Sequence, residues 1–173
     1  MTEVPLRRSA ARVILVDEAD RVLLFRGWDP VTPEVRYWFT VGGGLRDGES
    51  AAEGAAREVA EETGLAVTPA DLGAPVWRDV AEFPFDGHRY RQEQVFFLLR
   101  APAFEIDTAG FDPVERRSID THRWWTVTEL VAADEPVYPR DLPELMARLL
   151  SPAGGEIGGA GAAVADGKGI HSC

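Results

Sequence analysis

Between Gly42 and Leu65 the chain reads GGGLRDGESAAEGAAREVAEETGL, which crowds Glu53, Glu58, Glu61 and Glu62 into one short stretch. At about 100° per residue on an α-helix, Glu58, Glu61 and Glu62 share an arc about 100° wide, and an apolar stripe of Ala52, Ala55, Ala56 and Val59 lies roughly 120° away. One face can then pack on a sheet while another presents three carboxylates together. These acids repel one another and sit near the negative end of the helix dipole. Mg²⁺ or Mn²⁺ removes both objections. Such hard cations take carboxylate oxygens and keep waters that phosphate oxygens can replace. Ala51 and Gly54 share the acidic arc and leave room for a ligand. Arg57, one turn before Glu61, can hold a carboxylate in its ligating rotamer. Glu53 points elsewhere, as a cap or a solvated charge. On spacing alone the acidic arc reads equally well as a solvated helix face.

The flanking elements must position this helix. Ser50 is placed as its N-cap, Glu53 sits where a capping box wants an acid, and Gly64 supplies the stop. Tyr37–Val41 is a short aromatic strand leading into three glycines. Upstream, Arg12–Val16 and Val22–Phe25 read as a hairpin around the acidic turn Asp17–Asp20, followed by a proline-containing loop, Gly27–Val35. Downstream, APVWRDVAEFPF and RYRQEQVFFLLR read as two strands around DGH, the first made irregular or an edge by Pro84. Arg91, Glu93, Val95, Phe97 and Leu99 share one face of the second strand. A carboxylate buried there needs a partner, so Glu93 paired to Arg91 reads first as structural. Residues 101–120 form a long acid-containing loop of the kind that often carries function. HRWWTV is another strand, with Trp124 and Trp125 on alternate sides. Leu142–Leu150 is a final helix with Pro143 in its first turn.

The chain has 173 residues, 45% hydrophobic and 27% charged, which suits one globular domain over residues 1–150. Residues 151–173 are mostly Gly and Ala and read as a disordered tail. A net charge of −11 argues against a broad grip on nucleic acid. It does not exclude small phosphorylated ligands, whose charge a bound cation offsets. Cys173 is the only cysteine, so the fold needs no oxidising compartment. Arg7 and Arg8 precede an apolar run too short for an export signal. No run approaches a membrane span, and a cytoplasmic location is the expectation.

Gly43, Glu49, Arg57, Glu58, Glu61, Glu62 and Gly64, with Val59 and Leu65 in the two bulky aliphatic positions, resemble the Nudix box at every fixed position. With its flanks the resemblance spans Arg8 to Leu150. It implies an α/β (α+β) fold, an α/β/α sandwich with a mixed β-sheet and the box as loop-helix-loop. It also implies a metal-dependent hydrolase that cleaves the pyrophosphate bond of a nucleoside diphosphate linked to another group, using Mg²⁺ or Mn²⁺. Carried over position by position, Glu58, Glu61, Glu62 and the Gly43 carbonyl become metal ligands. Arg57 becomes the orienting residue and Glu49 a helper near the metal or the loop. Glu58 is the first candidate for the base that takes a proton from water. Glu115, in the long loop where relatives often place a ligand or base, is equally readable as a solvated charge.

Arg26, Arg36, Trp38 and Tyr90 are the candidate substrate contacts, accompanied by Trp28, Tyr37 and His88. Aromatic faces stack on bases, and Arg binds phosphate bidentately. Each taken singly also reads as core or surface. The alternative function is a catalytically silent nucleotide-binding or sensor domain of the same fold, although such domains tend to lose box acids and none is lost here. An isoprenoid diphosphate isomerase is disfavoured, because that branch resembles chemistry needing a core cysteine. No Pro stands near Val80–Ala81 and no Tyr near Glu82–Phe83, where ADP-ribose and dinucleoside polyphosphate hydrolases respectively often carry one. A nucleoside triphosphate or a nucleotide sugar stays open. Many relatives are dimers, so the resemblance allows a homodimer without requiring one.

Overall fold

Alternating side chains and β-branched runs make strands here, and strand length follows from where each lies in the sheet. The computed structural model describes residues 4–151, so the expectation for the tail beyond Ser151 lies outside the described residues. Strand β1 (Leu6–Val16) is longer than the hairpin arm expected, because it is central. Along its whole length it pairs in parallel with β5 (His88–Arg100), from Leu6↔Tyr90 to Val16↔Arg100. Its other edge pairs antiparallel with β3 (Tyr37–Gly44). The hairpin to β2 (Val22–Gly27) closes at Val16↔Val22 around the acidic turn, where the Asp17 carboxylate accepts from the backbone N–H groups of Ala19 and Arg21. Beyond that closure β2 turns to β3 and to β6 (Ile119–Trp125). Strand β4 (Trp77–Phe85) forms an edge against β5, and β7 (Val137–Tyr138) adds in parallel to β3.

Residues alternate between the two faces of this mixed sheet. Ala11, Val13, Leu15, Leu23, Phe25, Val41 and Phe97 face the helix α1 (Ala51–Thr63) through Ala55, Ala56 and Val59. Ile14, Val16, Val22, Leu24, Trp38 and Phe96 face the other way. The stretch expected as a long loop contains α2 (Pro113–Ser118). Asp112 accepts from the N–H groups of Val114 and Glu115, the Asp112 N–H donates to Glu115, and Pro113 stands at the helix start. Thr126 and Glu129 build the same capping box for α3 (Val127–Val131), which ends the RWW strand. Helix α3 and helix α4 (Leu142–Leu149) cover the second face with Leu130, Leu142, Leu145 and Met146. Burying each such side chain stabilises the fold by about 1.5–3 kcal/mol. The result is the α/β/α sandwich. Trp124 and Trp125 pack on opposite faces, as expected.

Glu93 corrects an expectation. It is exposed, and Arg91 donates instead to Glu82, its cross-strand neighbour, at 2.8 Å. Val95, Phe97 and Leu99 lie in or against the α1-side core, whereas Arg91 and Glu93 lie before it along β5 and stay in water. Among the described residues no helix is long and apolar enough to cross a membrane.

Candidate active site

Helix α1 begins with the capping box the sequence indicates. The Glu53 N–H donates to Ser50 Oγ at 3.2 Å, and the Ser50 N–H donates to Glu53 Oε2 at 2.8 Å. The helix stops at Gly64, whose φ of 78° is left-handed. Small residues on its inner face let it lie close to β3. A Cβ at Gly43 would stand 2.6 Å from Glu58 Oε1. At Gly42, with φ of +132°, it would stand 2.2 Å from the Ala11 carbonyl oxygen. Glycine at 43 admits the Glu58 carboxylate against β3, and glycine at 42 lets β3 lie close to β1.

Glu58 and Glu62 on α1 and Glu115 on α2 each place a carboxylate oxygen within 4.8 Å of the others, the geometry of a site for a metal ion. Glu62 is buried, and Oε2 accepts from the Gly42 N–H at 2.8 Å. Burial, and then the neighbouring Glu58, push the Glu62 carboxyl well above the ordinary range. Burial also raises Glu58, against the lowering effect of Arg57, and raises Glu115. A divalent cation supplies the charge that lets such a group ionise, and an all-oxygen donor set suits Mg²⁺ or Mn²⁺. Glu61 is held apart from this group. Its Oε1 accepts from Arg46 Nη2 at 3.1 Å and its Oε2 from Arg57 Nη1 at 3.1 Å.

Arg57 is the hub. Its guanidinium donates to both oxygens of Glu49, at 2.7 and 2.9 Å, to Glu58 Oε1 at 2.8 Å and to the Gly44 carbonyl at 3.0 Å. The arginine hydrogen bond holds the Glu49 carboxyl down at about 2. Glu49 is thereby an anchor for Arg57 and for the Arg46 N–H, which donates to its Oε2 at 2.9 Å. Arg12 was not singled out from the sequence, because an arginine inside an apolar strand carries no motif. It is buried and donates to the carbonyls of Gly42 at 3.1 Å and Thr40 at 3.4 Å, behind the acids.

These shifts have a measurable sign. Glu58, Glu62 and Glu115 are raised above the 4.5 of an ordinary glutamate. Their contribution to stability is complete below that value and is lost as pH rises through the raised values. Glu49 acts oppositely, its contribution being lost only as pH falls from 4.5 towards about 2. The cation-free protein is therefore expected to melt at a higher temperature near pH 5 than near pH 8. A melting series should show a weaker dependence in Glu62→Gln.

The four candidate substrate contacts do not converge on one pocket. Arg26 donates to Glu135 Oε2 at 2.8 Å and to Asp120 Oδ2 at 2.9 Å. Trp38 Nε1 donates to the same Glu135 oxygen at 2.8 Å, with its ring edge-on to Trp125 at 4.9 Å. Arg36 stacks over Trp28 at 4.1 Å, with Nε 3.7 Å from Asp120. Tyr90 lies elsewhere, stacked on Phe83 at 5.7 Å with the Arg8 guanidinium 4.5 Å above it. Glu135, the acceptor shared by Arg26 and Trp38, was missed because it sits in an unpatterned loop. Also missed was a cavity of about 530 Å³ beside α2, lined by Phe25, Phe111, Arg116, Asp120 and His122 among others. Arg116, which follows Glu115 on α2, lines this cavity, while Glu58, Glu62 and Glu115 do not.

The sequence pattern of the NUDIX domain matches residues 6–148. The fold is similar to that of a MutT protein from Methanosarcina mazei Go1, with a TM-score of 0.58 and 17% identity over 85% of this chain and 95% of that one. It is similar to a MutT NUDIX hydrolase from Burkholderia pseudomallei, with a TM-score of 0.56 and 18% identity over 80% and 95%. It is also similar to the E. coli dihydroneopterin triphosphate pyrophosphohydrolase, with a TM-score of 0.57 and 17% identity over 84% and 97%.

Proposed function

The chain belongs to the NUDIX family and is a hydrolase of that type, and we propose that it cleaves the pyrophosphate bond of a small nucleotide-type substrate, a nucleoside diphosphate linked to another group, with Mg²⁺ or Mn²⁺. Glu58, Glu61, Glu62 and the Gly43 carbonyl would hold the cation, and Glu115 joins them. The observation that carries this reading is the Glu58, Glu62 and Glu115 group, whose oxygens lie within 4.8 Å of one another while two of the three residues are buried. A structural ion pair would put a protein cation against Glu62. Glu62 instead accepts from the Gly42 N–H, and Arg12, the nearby positive charge, donates to the Gly42 and Thr40 carbonyls.

When bound, the cation neutralises phosphate oxygens and makes water more acidic. The protein's residues do the rest. Arg57 fixes Glu58 and Glu61 in place, and Glu49 fixes Arg57. Gly42 orients Glu62. Glu58 takes a proton from the attacking water onto a carboxylate oxygen, and Glu115 is the second candidate for that role. Water attacks one phosphorus in line, and two phosphate-bearing products separate. The cavity lined by Phe111 and His122 suits the group carried by the diphosphate, their rings offering faces to it. With one cysteine the fold needs no disulfide, which is compatible with a cytoplasmic setting.

A panel of nucleoside triphosphates, nucleotide sugars and dihydroneopterin triphosphate, the last prompted by the name of the E. coli relative, tests this reading. Turnover of at least one member in Mg²⁺, lost in EDTA and restored by added Mg²⁺, is the expected result. Tight binding with no turnover of any member would favour the silent sensor.

A further inference from the structure

Arg46 stands in the turn between β3 and α1, and it is placed differently from the other arginine of the box. Its backbone N–H is pinned to Glu49 Oε2 at 2.9 Å, so the turn around it is fixed. Its side chain is 66% exposed and reaches Glu61 Oε1 at 3.1 Å. The second oxygen of Glu61 is taken by Arg57 at 3.1 Å. Glu61 is thus neutralised by two guanidinium groups and lies outside the close group of Glu58, Glu62 and Glu115. An ion pair this exposed is weak and yields readily to a divalent competitor. Once displaced, the Arg46 guanidinium keeps its anchored backbone at the rim of the acidic site. Its planar fork of donors matches phosphate oxygens there.

We propose that Arg46 exchanges partners: it neutralises Glu61 while no cation is bound, and it turns to a phosphate oxygen of the substrate once Glu61 takes the cation. The exchange rests on the reading of the box acids as a cation site. Its two halves leave separate marks. Arg46 competes with the cation in the free protein and supports the anion in the complex.

Mn²⁺ binding to the purified full chain, followed by electron paramagnetic resonance without substrate, reads the first half. KM and kcat in saturating Mn²⁺ for whichever nucleotide is turned over read the second. Arg46→Ala is expected to bind Mn²⁺ about twofold to fivefold more tightly than the wild type. Its KM should rise about tenfold, as for the loss of a charged hydrogen bond, with kcat changed much less. Arg46→Lys keeps the charge and should restore Mn²⁺ affinity and part of the KM. Arg117→Ala removes another exposed arginine, two residues from Glu115, and should change neither. An unchanged Mn²⁺ affinity or an unchanged KM in Arg46→Ala overturns the exchange, as does an equal effect in Arg117→Ala. Wild-type protein that binds no Mn²⁺ overturns the cation reading and the exchange with it. Wild-type binding with Arg46→Ala unaltered overturns the exchange alone.

Discussion

Glu62→Gln is expected to lower the hydrolysis rate at least about a hundredfold while leaving the cation-free protein as stable as the wild type or more so. The rate falls because one anionic oxygen is withdrawn from the cation, and a few kcal/mol of lost transition-state stabilisation has that effect. Stability holds because the amide oxygen can still accept from the Gly42 N–H, now at 2.8 Å from Glu62 Oε2. The substitution also removes a carboxyl whose ionised form burial strongly disfavours. Turnover in saturating Mg²⁺ and a melt in EDTA read the two effects separately. Near-wild-type turnover would remove Glu62 from the cation site, and a large drop in melting temperature would make it a structural residue.

Arg57→Ala should be the most damaging change to the fold of the site. The guanidinium is 15% exposed and is paired to Glu49 and Glu58, themselves 12% and 8% exposed. Removing one partner from a buried ion pair typically costs about 3–5 kcal/mol, because the remaining charge is left without compensation. Glu58 then loses the arginine that holds its raised carboxyl down and retains its proton more strongly. Activity should fall with stability. Arg57→Lys should recover part of the stability but not the whole, since an ammonium cannot reproduce the two parallel bonds to Glu49 together with those to Glu58 and Gly44. Urea denaturation in EDTA measures the loss. A change below about 0.5 kcal/mol, the range of ordinary surface substitutions, would mean that the network carries no structural weight.

The box helix was legible in the sequence because its signals are local. Ser50, Glu53 and Gly64 mark its ends, and the alanine stripe with Val59 marks its inner face. Helix α2 has equally local signals in Asp112, Pro113 and Glu115, but the long irregular stretch around them reads as a loop. Pairing across distance was not legible. Nothing in Leu6–Val16 announces that it lies parallel to His88–Arg100, and that pairing makes β1 central. Side-chain partners far apart in the chain were hidden for the same reason. Arg26 and Trp38 meet Glu135 across the sheet, and Glu115 joins Glu58 and Glu62 only because the segment leading into α2 comes back against the end of α1, where a Cβ at Gly110 would stand 2.4 Å from the Glu61 carbonyl oxygen. The spacing puts Glu61 on one helix arc with Glu58 and Glu62. It could not show that Arg46 and Arg57 occupy both its oxygens.

Direct titration of the purified chain with Mn²⁺, in competition with Mg²⁺, tests most directly whether the acidic group between α1 and α2 holds a divalent ion. Saturable binding is expected, with proton release at neutral pH because the raised carboxyls must ionise to ligate, and with clear weakening in both Glu58→Gln and Glu62→Gln. No saturable binding, or binding that neither substitution changes, would contradict a cation at these residues.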